Sequence, residues 1–340
     1  MKIIKIYYEK YEIPLIEKFK NSKNQYINQQ GLIFIIKTKE YVGLGEAVLL
    51  KGFSNHTMQE MVWAAESLIE SIQDNEEYSM EELLIMAEIH CSQTPTVQFA
   101  IDTALYDIES QKQGLPLSKF LNKEAFGCVD CSQTLLNPKN IIISDTVKIK
   151  IGAHSMKDDI GLLKKIDKEY PNVKMRLDAN QCYSIEEFSL LYKNISHLNI
   201  DFLEEPIKNP NIKKIKHIKS LYPSLNYAID ESIYQNRNYE KWITDNLIST
   251  MIIRPSLLGS FRSFFSIIDL YQSHLQLLVS SSLENSVGNM AIIHLASTLS
   301  RKSKHGLNIY SFYNQFFIPP LYKNHKIKLE HLAGLGFQYD

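Results

Sequence analysis

Three short apolar runs in the middle of the chain each end in an acid, and the acids recur at a fixed interval. "RLDAN" carries Asp178, "FLEEP" carries Glu204 and "AIDES" carries Asp230, so successive acids stand 26 residues apart. Lys150, in "VKIKIG", precedes the first acid by 28 residues, and Arg254, in "IIRPS", follows the third by 24. One β-strand with its crossover helix occupies about this length. A polar residue therefore recurs once per βα unit, at the carboxyl end of each strand. That is where barrel folds build their active sites.

From about Cys131 the rest of the chain has the same texture. The apolar runs "CSQTLL", "TVKIKIG", "VKMRLD", "IDFLEE", "NYAID", "STMIIR" and "QLLVSS" alternate with helical patterns such as 158–169, 185–194 and 260–272. Alternation of this kind implies parallel strands joined by helices, and seven or eight units close a barrel. An open doubly wound sheet competes, but the glycine-rich phosphate loop is absent and "GLGE" at Gly43–Glu46 is a lone fragment. Before Cys131 the pattern is strands at 2–10, 31–38 and 42–50, then helices at 58–72 and 80–89. The polar stretch Lys20–Gln30 reads as a mobile loop. In "TPTVQFAIDTALYDIESQKQG", Thr94 is placed to cap a long helix, Pro95 is tolerated in its first turn and Gly114 stops it. The expected domains are a capping unit over 1–115, a barrel over 125–311 and a C-terminal segment, 312–340, packing back on the cap.

The composition limits the partners. Among 340 residues, 37 basic and 38 acidic side chains give a net charge of −1, which makes no electrostatic case for nucleic acid or a membrane surface. The basic run Lys208–Lys219 reads as a solvated helix face. No stretch approaches the ~20 apolar residues that span a bilayer, and the N-terminus lacks a signal-peptide core. A cytoplasmic protein is expected, with no obligate protein partner evident. The pair Cys128 and Cys131 has half of a zinc set and no second half. None of the ten histidines has ligand-like spacing.

Three carboxylates converging on one mouth repel each other unless a cation neutralises them, and Mg²⁺ prefers such oxygen ligands, with Mn²⁺ as a substitute. On a strand, residues i and i+2 share a face. Lys148 and Lys150 therefore face the mouth together, while Val147, Ile149 and Ile151 face away. Two adjacent, partly desolvated ammonium groups have lowered pKa values. A lysine tuned toward neutrality takes a proton from carbon when the resulting enediolate is stabilised. The reaction class is proton abstraction α to a carboxylate, on a small-molecule carboxylate substrate.

These residues resemble the enolase superfamily and, within it, the o-succinylbenzoate synthase family of menaquinone biosynthesis. The resemblance rests on "GLGEA", "QFAIDTALYDIESQKQGLPL", "KIKIG", "RLDANQ", "FLEEP", "AIDES" and "SSSLENSVG". It implies an α/β fold, a modified (β/α)7β TIM-type barrel closed by an N-terminal α+β capping domain. It implies Asp178, Glu204 and Asp230 as Mg²⁺ ligands, Lys150 as general base and Lys148 as its neighbour on the substrate carboxylate. The implied activity is a lyase reaction, the syn dehydration of 2-succinyl-6-hydroxy-2,4-cyclohexadiene-1-carboxylate to 2-succinylbenzoate. Arg254 stands where the superfamily typically has lysine. Arginine is not a base in proteins, which weighs against an N-acylamino acid racemase, dipeptide epimerase or two-base cycloisomerase. A decayed barrel kept for binding is a further alternative, opposed by the intact lysines and acids.

Other positions are expected around this set. Arg176 and Asn180 share the inward face with Asp178, although Arg176 equally reads as a structural ion pair. Ser281 and Ser282, with the amides entering the next helix, are placed to hold a substrate carboxylate. Glu205 and Glu231 support the ligands beside them. The family position of Lys20–Gln30 implies a lid over the substrate tail.

Overall fold

The computed structural model describes residues 1–20, 25–50, 52–135, 142–235, 238–299, 303–308, 312–313, 315–316, 322–323, 326–329 and 333–337. The chain starts with an antiparallel sheet of β1 (Lys5–Lys20), β2 (Gln25–Lys37) and β3 (Val42–Val48). Helices α1 (Met58–Ser71), α2 (Met80–Cys91) and α3 (Pro95–Lys112) follow. Both α1 and α2 begin in capping boxes, Thr57 with Glu60 and Ser79 with Glu82, which satisfy end donors reciprocally. Thr94 sits at the N-cap of α3 without capping it; its hydroxyl donates back to the Cys91 carbonyl at 3.3 Å. Leu32, Phe34, Leu68, Val97, Ala100 and Leu105 form the core between sheet and helices.

The expected loop at Lys20–Gln30 is corrected over part of its length. Residues 25–30 belong to β2, with Gln30 opposite Glu12 and Gln29 opposite Ile13. The Gln30 amide donates to Glu12 across the pair at 2.9 Å, so polar residues here form a cross-strand ladder. Residues 21–24 lie outside the described residues.

After α4 (Leu117–Leu121) and β4 (Cys128–Asp130), the chain enters a seven-stranded parallel sheet. Its strands are β5 (Gln133–Leu135), β6 (Thr146–Lys150), β7 (Lys174–Asp178), β8 (Ile200–Glu204), β9 (Tyr227–Ile229), β10 (Thr250–Ile253) and β11 (Gln276–Val279). Each pairs with its successor in chain order. The sheet curls shut: Gly306 bridges Ser280 and His305 bridges Cys131, both in parallel. Crossover helices clothe it, α5 (Met156–Glu169), α6 (Ile185–Ile195), α7 (Ile212–Leu221), α8 (Glu231–Tyr234), α9 (Tyr239–Thr244), α10 (Pro255–Leu258), α11 (Phe261–Tyr271) and α12 (Ser286–Ala296). The result is the expected (β/α)7β barrel under an α+β cap. Inward-facing Phe202, Ala228, Ile252 and Leu278 fill its centre, while outward-facing Val147, Ile149, Leu177 and Leu203 pack against the helices.

In the C-terminal segment, β12 (Tyr322–Lys323) pairs with β13 (Lys326–Lys328), which pairs with β4. Tyr313 bridges Leu15 of β1, and the Gly334 carbonyl accepts from Leu117 at 2.8 Å. Among the described residues no helix is long and apolar enough to cross a membrane.

Candidate active site

Parallel register brings the first half of the site together. Lys150 pairs with Asp178 and Asp178 with Glu204, so three charged residues stand at one level on β6, β7 and β8. One level deeper lie Lys148, Arg176 and Phe202. Asp230 follows the end of β9, and Arg254 follows the end of β10. All three acids and Arg254 are largely buried.

Lys148 rises from its deeper level to bridge two acids. Its Nζ is 2.9 Å from Asp178 Oδ2, 2.8 Å from Glu204 Oε2 and 2.9 Å from Glu204 Oε1. Burial alone would lower its pKa, but the adjoining carboxylates outweigh that and hold the ammonium above the usual lysine range. Lowered pKa values were expected for both lysines, and only Lys150 shows one. Burial depresses its ammonium, and the charge of Lys148 adds to the effect against the opposing pull of Asp178. Burial also drives Glu204 well above the usual carboxylate range, reinforced by the charge of Asp178.

Other expected residues take structural positions. The Arg176 Nε donates to Asp201 at 2.9 Å, a second nitrogen donates to the Lys304 carbonyl, and the guanidinium carbon lies 5.2 Å from the Phe202 ring centre. That is the ion-pair alternative. Ser281 Oγ donates to Glu284 at 2.6 Å, as does the Ser282 amide. The buried Glu284 also accepts from Ser256 at 2.5 Å. The Ser282 hydroxyl accepts from Ser256 at 3.1 Å, so both serines are engaged in the turn that follows β11. Asn180 does join the site, its amide donating to Glu231 at 2.6 Å. Glu205 accepts from the Asp230 and Ser232 amides at 3.1 and 2.8 Å, fixing the backbone that presents Asp230.

The other oxygen of Glu231, Oε2, is buried without a hydrogen-bond partner among the described residues. Burial, then the charges of Asp230 and Glu205, push its pKa well above the usual range. Four carboxyl groups, Asp178, Glu204, Asp230 and Glu231, crowd against three cationic side chains, Lys148, Lys150 and Arg254. Burial and mutual repulsion favour protons on Glu204 and Glu231, a strain that an added cation would relieve. The donors are all hard oxygens, which suits Mg²⁺. Among the described residues no three acidic, histidine or cysteine side chains already stand in metal-holding geometry. The reason is visible: Lys148 stands between Asp178 and Glu204, and Arg254 grips Asp230.

Two aromatic residues at the site carried no sequence pattern. Phe53 reaches from the cap to lie 4.7 Å from the Arg254 guanidinium carbon. Tyr234 accepts from the Arg254 amide at 2.6 Å and lies 6.3 Å, ring to ring, from Phe53. Neither belongs to a periodic run, and only the closure of cap on barrel brings Phe53 to the site.

The family described as enolase C-terminal domain-like matches residues 143–340, and the chain belongs to it, within the enolase superfamily. Particular relatives fall in two functional groups. An o-succinylbenzoate synthase from Vibrio cholerae is 24% identical over 305 residues, covering 88% of this chain and 87% of the relative. An L-amino acid-D/L-Glu epimerase from Sulfurimonas denitrificans is 23% identical over 309 residues, covering 87% and 89%. Among solved structures, a dipeptide epimerase from Enterococcus faecalis, complexed with Mg and the dipeptide L-Leu-L-Tyr, superposes with a TM-score of 0.85 at 22% identity, covering 99% of both chains.

Proposed function

We propose that this chain is an o-succinylbenzoate synthase. It would carry out the Mg²⁺-dependent syn dehydration of 2-succinyl-6-hydroxy-2,4-cyclohexadiene-1-carboxylate to 2-succinylbenzoate, a step of menaquinone biosynthesis. The supporting observation is the asymmetry of the site. Lys150, its proton affinity lowered by burial, stands on β6, while Arg254 after β10 is forked onto Asp230. A syn elimination needs one proton-transferring group, whereas inversion at carbon needs acceptors on both faces.

Lys150 takes the α-proton as a neutral amine and returns it to the departing hydroxyl, which leaves as water. Lys148 and Arg254 offer fixed positive charge to the anion that forms between these transfers. Mg²⁺, held by Asp178, Glu204 and Asp230, would supply double positive charge to the substrate carboxylate. The substrate is a small carboxylate, which a divalent cation on the acids, with Lys148 and Arg254 beside it, would receive.

The test is an absorbance assay with the cyclohexadiene substrate, with and without Mg²⁺. Turnover that depends on Mg²⁺ is expected; none from folded protein at neutral pH overturns the reading. Because several relatives are named as epimerases, Arg254→Lys serves as a second test. A sharp gain in racemisation of N-acylamino acids or dipeptides would favour the two-base alternative.

A further inference from the structure

Arg254 is held from several sides. Its Nε donates to Asp230 Oδ1 at 2.9 Å and to Oδ2 at 3.2 Å, and Nη2 donates to Oδ2 at 2.6 Å. Nη1 donates to the Ser281 carbonyl, and Phe53 covers the guanidinium face. Ser281 is itself pinned by Glu284, and the Arg254 amide by Tyr234. Asp230 is fixed from behind by Glu205. The fork is therefore rigid at both ends, unlike the ammonium of Lys148 on its flexible four-carbon stem.

A carboxylate offers about four lone-pair sites. The fork makes three contacts with them, leaving about one site, on Oδ1. We propose that Arg254 competes with the metal for Asp230 and lowers the metal affinity of the site, leaving Asp178 and Glu204, contested by the flexible Lys148 ammonium rather than a fork, as the strong ligands. The arginine supplies, as a permanent side-chain charge, part of the neutralisation that three unshared acids would demand from the ion alone. A fixed guanidinium on the third ligand also repels the ion it faces. This inference rests on the divalent-cation reading above, but not on the identity of the substrate.

The experiment is Mn²⁺ titration of the full chain without substrate, with free ion read by electron paramagnetic resonance, alongside thermal melting with and without Mn²⁺. Arg254→Met is expected to bind Mn²⁺ more tightly than the unaltered protein by about tenfold or more. Asp178→Asn is expected to lose far more affinity than Asp230→Asn. If Arg254→Met does not fold, Arg254→Lys decides, because one ammonium cannot reproduce the fork; tighter binding is again expected. Equal or weaker binding by the folded arginine variant, or equal losses for the two asparagine variants, overturns the competition. If that happens while the diene still turns over, the proposed function stands. If the expected order of affinities holds without turnover, the competition stands and the proposed function falls. Absence of Mn²⁺ binding by every variant removes both the metal reading and this inference.

Discussion

Lys148 and Lys150 stand two residues apart on one strand, yet their surroundings push their proton affinities in opposite directions. Lys148 bridges Asp178 and Glu204 and is held as a cation, while burial lowers Lys150. Under the proposed function the roles divide accordingly, Lys148 as fixed charge and Lys150 as the group that exchanges a proton. Lys150→Ala is expected to keep Mn²⁺ binding but to lose α-proton exchange with deuterated solvent, with turnover falling by about 10²–10⁴-fold. Unchanged exchange, followed by NMR, would move the base elsewhere.

Lys148→Met tests the other role. Removing one partner from a buried ion cluster leaves charge uncompensated, which typically costs about 3–5 kcal/mol. The variant is expected to melt lower in EDTA and to recover much of the difference when Mg²⁺ is added, because the ion replaces the lost charge. Equal losses under both conditions would show that the bridge does not stand in for a cation.

Much of this site was legible because the length of a βα unit fixes the spacing of strand ends. Asp178, Glu204, Asp230, Lys150 and Arg254 could be placed at one mouth from periodicity alone. Side-chain commitments were not legible. Arg176 shares a face with Asp178 by strand alternation, but a register shift beside Met175 gives it Asp201 as a partner. Ser281 and Ser282 resemble anion-binding residues until Glu284 turns back to take their hydrogen bonds. The polar composition of residues 25–30 suggested a loop, whereas pairing with β1 makes strand of them. The deciding neighbour comes from a strand irregularity for Arg176, from a tight turn for the serines and from a paired strand for residues 25–30.

Two glycines make a paired prediction about packing. At Gly45 of β3, an added Cβ would sit 1.8 Å from the Ala100 carbonyl oxygen of α3, a backbone atom that cannot move aside cheaply. Gly45→Ala is expected to destabilise the chain by about 1–3 kcal/mol or more. At Gly161, inside α5, a Cβ meets nothing within 4 Å. Gly161→Ala is expected to stabilise by about 0.5–1 kcal/mol through helix propensity. Urea unfolding of both variants checks the contrast; a shift of the same sign in both would contradict the close approach of β3 to α3.

Asp102 gives the pH prediction. It is buried on α3, where it accepts the Phe261 amide at the start of α11 at 3.0 Å. Burial raises its carboxyl from 3.8 to about 7, against the opposing effect of that hydrogen bond. The folded chain therefore holds this proton after the unfolded chain has released it. Its contribution to stability is complete below about pH 4 and is lost as pH rises through 7, at about 1.4 kcal/mol per unit in between. Asp102→Asn preserves an oxygen for the Phe261 amide and carries no titrating proton. Relative to the unaltered chain, the variant is expected to gain stability on the order of a few kcal/mol between pH 4 and pH 7. Urea unfolding at stepped pH values measures the difference. Parallel profiles across that window would mean that Asp102 ionises at the same pH in both states.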